Sequence, residues 1–381
     1  MQAAGATATV SRDAPAALSN PANLIMSRGL EPYFELGLVS ATYTYTPLLE
    51  TLPVATTKVA ATPVVVGMTL KPRARRFALG AVFVPLGTGK MATVRDVPLQ
   101  ISGSSFEVVN VDTSAGGYQF GVGGALTVVP GLTLGAGVIR IQETNTLTLY
   151  KFDPTSPIVD AYYLGASNQY VLGLRGSALT NGRLVIGGAL KLPVTKTYKG
   201  EIYTPLTRGQ YQPIGTVGYA PMVFTTGVEI RQRSLGLFGE YRREFTSKGR
   251  KIKASGLSSE DVEADLIDTN SFVIGGHLRF LGSHRLMGAF GLYPANTGDG
   301  LIAKTADGSP GIVVTGVQFG DLASVPRYVY AGGYSIKAGR FGADGYFNYI
   351  SGYRQVPEGA PGDGTYSLSV ILFGFSIVYQ F

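Results

Sequence analysis

The chain of 381 residues contains no cysteine, no tryptophan and two histidines, and only 15% of its residues are charged. Without cysteine there is no disulfide framework, thiolate nucleophile, zinc finger or thiolate-held cluster. Two histidines leave little room for His-rich metal chemistry, and no loop has EF-hand ligand spacing, so neither a metal nor a cofactor is expected. There is no Gly-x-Ser-x-Gly elbow, and His277 and His284 are the only imidazoles that could act as a base beside a nucleophile. A disordered chain combines low hydrophobicity with high net charge; here 45% of residues are hydrophobic and mean hydropathy is +0.17. The net charge of +7 raises the question of nucleic acid. Yet the densest basic run, Lys71, Arg73, Arg75 and Arg76, lacks the repeated basic and aromatic interleaving of a single-strand groove, and no nucleic-acid partner is expected.

What is abundant is glycine, at 52 residues, together with 22 tyrosines and 18 phenylalanines. Residues 113–139 carry no charge, a stretch long enough for a spanning helix, but eight glycines and a central Val129-Pro130-Gly131 would weaken and break one. The stretch reads instead as two strands and a tight turn. Phe120, Val122, Gly124, Leu126 and Val128 share one face, and Leu132, Leu134, Ala136 and Val138 share the next, a period of two. The pattern recurs at Phe34, Leu36, Leu38; at Thr62 to Leu70; at Phe77 to Phe83; at Tyr170 to Leu174; and at Leu184 to Leu192. It continues at Met222 to Ile230, Leu235 to Tyr241 and Phe272 to Phe280, where Glu229, Arg231, Glu240, Arg242, His277 and Arg279 lie opposite the apolar stripe. With four more segments near 285–293, 327–337, 341–350 and 366–381, the reading reaches fourteen strands, an even number that closes an antiparallel barrel.

Gap lengths alternate between short and long, as in outer-membrane barrels with short periplasmic turns and long extracellular loops. Short gaps fall near Lys71 to Arg76, Val129 to Gly131, Leu179 to Arg183, Gln232 to Ser234, Gly282 to Ser283 and Ala338 to Arg340; long ones fall at about 47–57, 86–113, 143–165, 195–217, 247–267, 294–324 and 354–364. Both termini would then be periplasmic, in a bacterial outer membrane. Residues 1–31 lack the basic and continuous apolar regions of a secretory signal, so the chain is expected either to be mature or not to be exported. Ser11 to Gly29 reads as two short helical turns, with Asp13 and Ser19 or Asn20 as caps and Pro15 and Pro21 in first turns. The expected division is a hatch at 1–31 and a barrel at 32–381, the hatch being either a plug inside the barrel or a frayed periplasmic tail.

Several stretches resemble one family. Ala17 to Leu24, around Asn20-Pro21-Ala22 and ending in Leu24, is similar to the N-terminal hatch of the FadL long-chain fatty acid transporter family. Arg76 with Phe77 to Gly87 resembles its third strand, and TKTYKGE at Thr195 to Glu201 resembles the stretch after its seventh. The closing strand from Gly364 ends in Phe381, with Tyr379, Ile377, Phe375, Phe373 and Ile371 on the same face, and resembles both that family's last strand and the signal read by the barrel assembly machinery. The resemblance covers essentially the whole chain. It implies a monomeric all-β transmembrane barrel, plugged by its own N-terminus, in contact with outer-membrane lipid and lipopolysaccharide. Its ligand would be a hydrophobic small molecule, a fatty acid or a neutral hydrocarbon, taken up passively.

In that family, ligand first meets a greasy groove between extracellular loops. Here Leu147, Leu149, Tyr150, Phe152, Ile158, Tyr162 and Tyr163 would form one wall, with Tyr203 and Leu206 in the other; packing against the barrel mouth is the alternative. The last strand would turn Tyr366, Leu368, Val370, Leu372, Gly374 and Val378 inward, an apolar lining. A carboxylate headgroup would need a cation, and Arg140, Arg175, Lys191, Arg231 and Arg279 are candidates unless they brace the barrel against Glu229, Glu240 and Asp344. The family's third strand kinks inward to open a lateral exit, which Pro85 and Gly87 could supply, or which could be an ordinary strand end. The competing classes are a general porin for small polar solutes, which should have an open, charge-segregated lumen, and an outer-membrane hydrolase.

Overall fold

The computed structural model describes residues 8–9, 13–48, 54–72, 76–102, 105–153, 155–178, 183–203, 210–247, 251–252, 254–255, 262–263, 266–296, 325–356 and 364–381. Fourteen strands close a single antiparallel barrel. They are β1 (Gly29–Pro47), β2 (Ala55–Ala61 and Val64–Lys71), β3 (Phe77–Ser102), β4 (Ser105–Val129), β5 (Leu132–Tyr150), β6 (Val159–Ala178) and β7 (Leu184–Lys191 and Val194–Tyr203). The second half comprises β8 (Gln212–Ala220 and Met222–Arg231), β9 (Leu235–Phe245), β10 (Thr269–Phe280), β11 (His284–Tyr293), β12 (Arg327–Ala338), β13 (Phe341–Val356) and β14 (Gly364–Tyr379). Each strand pairs with its sequence neighbour, and β14 returns to β1 from Tyr33↔Val378 to Pro47↔Gly364, so the sheet has no free edge. With an even strand count, the start of β1 and the end of β14 lie at the same, short-turn end.

Three strands are interrupted by proline, which cannot donate to the ladder. Register is unchanged across Pro63, whose carbonyl accepts from Gly37 N at 2.8 Å, and across Pro221. At Pro193 it slips by one residue, and Gln169 Nε2 donates to the Leu192 carbonyl at 3.1 Å, replacing the lost partner. The short turns use left-handed backbone where a tight reversal demands it: Gly131 has φ +88° and Gly282 φ +68°. The short gaps expected at Lys71 to Arg76 and Leu179 to Arg183 include residues 73–75 and 179–182, outside the described set.

Side chains alternate in and out as the period of two requires. Leu36, Leu38, Phe83, Phe120, Leu134, Leu172, Phe224, Ile274, Tyr330 and Phe373 are exposed on the outside, an apolar band that only lipid can cover. Phe280, Tyr334, Phe341, Tyr379 and Phe381 girdle the short-turn end, supplying with Tyr and Phe the interfacial aromatics that tryptophan would otherwise contribute.

One expectation changes. The stretches 86–113, 143–165 and 195–217 are not irregular loops: β3 to β8 run on well past the lipid-facing band as paired strands. The reason lies in their outward residues, such as Arg140, Asn168, Thr195 and Thr197, which end the apolar stripe without ending the ladder.

Candidate functional site

Residues 13–28 fold into the lumen. A short helix, Ala16–Ser19, and a 3-10 turn, Pro21–Met26, bury Ala16, Ala17, Pro21, Ala22, Asn23 and Leu24. Asn20 caps the second turn by accepting from Ala22 N at 3.2 Å, while its Nδ2 donates to the carbonyls of Ala8 (2.7 Å) and Leu174 (3.2 Å). The Asn-Pro-Ala core is therefore both a cap and a tie to the wall. Inward-facing glycines make the seat. A Cβ at Gly135 would stand 2.5 Å from Pro21 C and 2.8 Å from Ala22 Cα, and one at Gly173 would stand 2.9 Å from Ala22 N. Leu24 similarly fills the hollow over Gly80, and Leu18 the one over Gly121. Polar clamps complete the attachment: Arg175 Nη1 donates to Asn23 Oδ1 at 2.9 Å, Ala8 N to Glu240 Oε2 at 2.6 Å and Lys71 Nζ to the Ile25 carbonyl at 2.7 Å.

Beside the hatch, the short-turn half of the lumen is polar. Tyr33 and Tyr346 both donate to Glu35, and Ser376 donates to Asp344 at 3.2 Å. Across from them Arg231 Nη2 meets Glu229 Oε2 at 2.5 Å, Glu229 being 1% exposed, and Arg285 lies 3.0 Å from His277 Nδ1. His284 is at the outward turn, bonded to Tyr334.

The long-loop half holds an apolar cluster. Tyr43 and Tyr45 of β1, Leu149 of β5, Val159 and Ala161 of β6 and Ile202 of β7 pack with Val325, Val356 of β13 and Tyr366, Leu368 and Val370 of β14. These strands lie on opposite sides of the barrel, so the cluster spans the lumen. Tyr45 stacks on Tyr366 with ring centroids 4.7 Å apart. Ile350 packs against this cluster and against a second one, Phe238, Val273, Met287 and Val329, making an apolar layer above the polar floor.

Among the described residues, the ladder between β2 and β3 stops short although the two strands stay side by side. β2 and β3 pair only from Leu70↔Leu79 to Val66↔Phe83; beyond that point Ala55–Ala61 pairs with β1, and no ladder joins it to β3 among the described residues. Pro63 and Pro85 stand just past the last pair, and the β3–β4 register shifts between Pro85 and Thr88, around Gly87. Pro85, whose backbone edge faces β2, cannot donate across the gap, whereas the edge of Pro63 faces β1.

The sequence-derived site residues are thus dispersed. The hatch residues Asn20, Pro21, Ala22 and Leu24 come together against β3 to β6. The supposed loop groove is split by strand alternation: Leu149, Ile158 and Tyr163 join the lumen cluster, whereas Tyr162 is exposed on the outer face and Phe152, 95% exposed, tips the β5–β6 connection. Tyr150 and Tyr203 also take outward positions, Tyr150 donating to Asp112 at 3.5 Å and Tyr203 lying 5.7 Å from the Tyr211 ring. Leu206 and the side chain of Leu147 lie outside the described residues. Of the five cations, Arg140 faces outward, bonded to Asn168 at 3.2 Å, because it shares parity with Leu134 and Val138; it does not reach the lumen. Arg175 is tied to the hatch, Arg231 to Glu229, and Arg279 is exposed at the short-turn mouth. Lys191 alone of the five faces the upper lumen, with Arg242 and Glu244 as charged neighbours. Sequence reasoning missed Tyr43 and Tyr45, although both continue the inward parity of Tyr33, and it missed that Glu143, Lys196 and Tyr198 meet. In that trio Lys196 Nζ reaches Glu143 at 2.8 Å and Tyr198 donates to it at 2.5 Å.

A closed fourteen-stranded barrel with an apolar outer band and an N-terminal segment packed on its inward glycines defines a transmembrane barrel. The chain has the fold of FadL-type transporters. It superposes on a FadL homologue from Pseudomonas aeruginosa with a TM-score of 0.76 at 13% identity, covering 100% of this chain and 97% of that one. The P. putida toluene transporter TodX gives 0.67 at 11% identity over 99% and 96% of the two chains, and the Ralstonia pickettii toluene transporter TbuX 0.64 at 13% over 100% and 96%. No family model and no curated protein matches the sequence.

Proposed function

We propose that the protein is an outer-membrane channel for passive uptake of hydrophobic small molecules. The observation that carries the reading is the apolar cluster that spans the upper lumen above a seated hatch. An aqueous porin would have polar residues there, whereas this layer solvates an alkyl chain or ring, at roughly 0.8 kcal/mol per buried CH₂. Ligand enters at the long-loop end, taken as extracellular, displaces the cluster's packing and reaches the hatch. The polar floor opposes onward passage toward the periplasm, so the exit is lateral, through the unpaired stretch between β2 and β3 beyond Val66 and Phe83. The structural neighbours, two of them named as toluene transporters, support the ligand class. With Arg140 turned outward and Arg175 and Arg231 engaged, the lumen suits ligands without a strong anionic headgroup better than fatty acids; of the five candidate cations, Lys191 is the one left facing the upper lumen as an anchor for a carboxylate. Phe381 is 65% exposed, which supports recognition by the assembly machinery; in this reading the chain acts as a monomer with outer-membrane lipid and lipopolysaccharide around it. The test is equilibrium binding of pentylbenzene to the detergent-purified barrel, with oleate as competitor. Saturable binding that oleate displaces only weakly is expected; absence of binding by both would overturn the reading.

A further inference from the structure

A polar island interrupts the apolar path between the hatch and the outer cluster. Below it, Ile139, Ile141 and Val171 pack with Leu18 of the hatch; above it stand Leu149, Ala161 and Ile202. Between them Glu143 points inward from β5 and receives Lys196 Nζ at 2.8 and 3.0 Å and Tyr198 Oη at 2.5 Å, both from β7. The Tyr198 ring lies against Gly165 and Gly218, where a Cβ would come closer than 3.0 Å. At the next inward position of β6, Ser167 is 7% exposed and its Oγ has no hydrogen-bond partner. This is the inward side of the TKTYKGE stretch, whose alternation sends Lys196 and Tyr198 to the same face.

The chemistry of the island is that of a balanced pair. Glu143 neutralises Lys196, and burial together with that carboxylate pushes the Tyr198 phenol well above its ordinary range, so it keeps its proton. An arriving carboxylate would find the lysine occupied and a second carboxylate beside it. A buried hydroxyl without a partner is destabilising, and a ligand that supplies the partner removes that cost. Lysine has three N–H donors, of which Glu143 takes two.

We propose that Glu143, Lys196, Tyr198 and Ser167 form a subsite for a neutral hydrogen-bonding group, a phenol or alcohol hydroxyl, on an otherwise hydrophobic ligand. The inference rests on the uptake reading above and names its substrate class: alkylphenols and related hydroxylated hydrocarbons.

The experiment compares 4-pentylphenol, pentylbenzene and 4-pentylbenzoate, matched in tail, for equilibrium binding to the detergent-purified full chain, corrected for partition into micelles. The phenol is expected to bind about five- to tenfold tighter than the hydrocarbon, the increment of one or two net hydrogen bonds, and tighter than the benzoate. Ser167→Ala and Tyr198→Phe keep the packing and are each expected to lower phenol affinity toward the hydrocarbon's, leaving pentylbenzene unchanged. Equal binding of phenol and hydrocarbon to the unaltered protein, benzoate as the tightest ligand, or a phenol preference that survives both variants would overturn the subsite while leaving uptake standing. Loss of pentylbenzene binding itself would overturn both.

Discussion

Substituting Gly135 by valine tests whether the hatch is seated by glycine. The Cβ would stand 2.5 Å from Pro21 C and 2.8 Å from Ala22 Cα, where ordinary contacts begin at 3.4 Å, so something must shift. Gly135 is held in ladders on both sides, pairing with Ala125 and Gly173, whereas the hatch is held by a handful of side-chain bonds; the hatch is the part that yields. Overpacking of this kind costs about 1–3 kcal/mol, which raises the displaced population by about 5- to 150-fold. Because the chain has no cysteine, a single Ser19→Cys reporter, buried in the seat, can be followed by maleimide labelling. The labelling rate is expected to rise by that factor in the Gly135→Val background, with increased ion conductance in planar bilayers and an unchanged heat-modifiable barrel band. Gly239→Val, where a Cβ meets nothing within 4 Å, is the control and should label like the parent. An unchanged rate in Gly135→Val would refute the seating argument.

Other perturbations reach the remaining parts. Leu24→Ala removes a fully buried side chain from the hollow over Gly80 and should loosen the hatch by about 2–5 kcal/mol, read by the same reporter. Pro85→Val restores a donor facing β2 where the β2–β3 ladder stops; uptake of pentylbenzene by cells should fall severalfold while binding to the purified protein holds. Glu143→Gln leaves Lys196 without its counter-charge, so 4-pentylbenzoate should gain severalfold in affinity and the phenol should lose its advantage.

The barrel was legible because lipid imposes a strict rule: outward residues must be apolar at every second position, and Phe272, Ile274 and Leu278 obey it with charge opposite. The same rule hid the upper lumen. Once strands rise past the lipid, outward Arg140, Thr195 and Thr197 no longer mark the face, and 143–165 read as an apolar loop when it is a ladder whose alternate residues face apart. Glycine was counted but not placed; only the folded hatch shows that Gly135 and Gly173 are absences of side chain that Pro21, Ala22 and Asn20 occupy. The brace between Arg231 and Glu229, two residues away, was legible in the alternation of the strand, whereas the partner of Arg175, Asn23 at 152 residues' separation, was not.

The most direct test of the central claim is the initial rate of uptake of radiolabelled pentylbenzene by Gram-negative cells expressing the protein, measured beside that of a small polar sugar and against vector controls. The hydrocarbon rate is expected to rise severalfold with no change for the sugar. A raised sugar rate with an unchanged hydrocarbon rate would contradict it and make the barrel a porin for polar solutes.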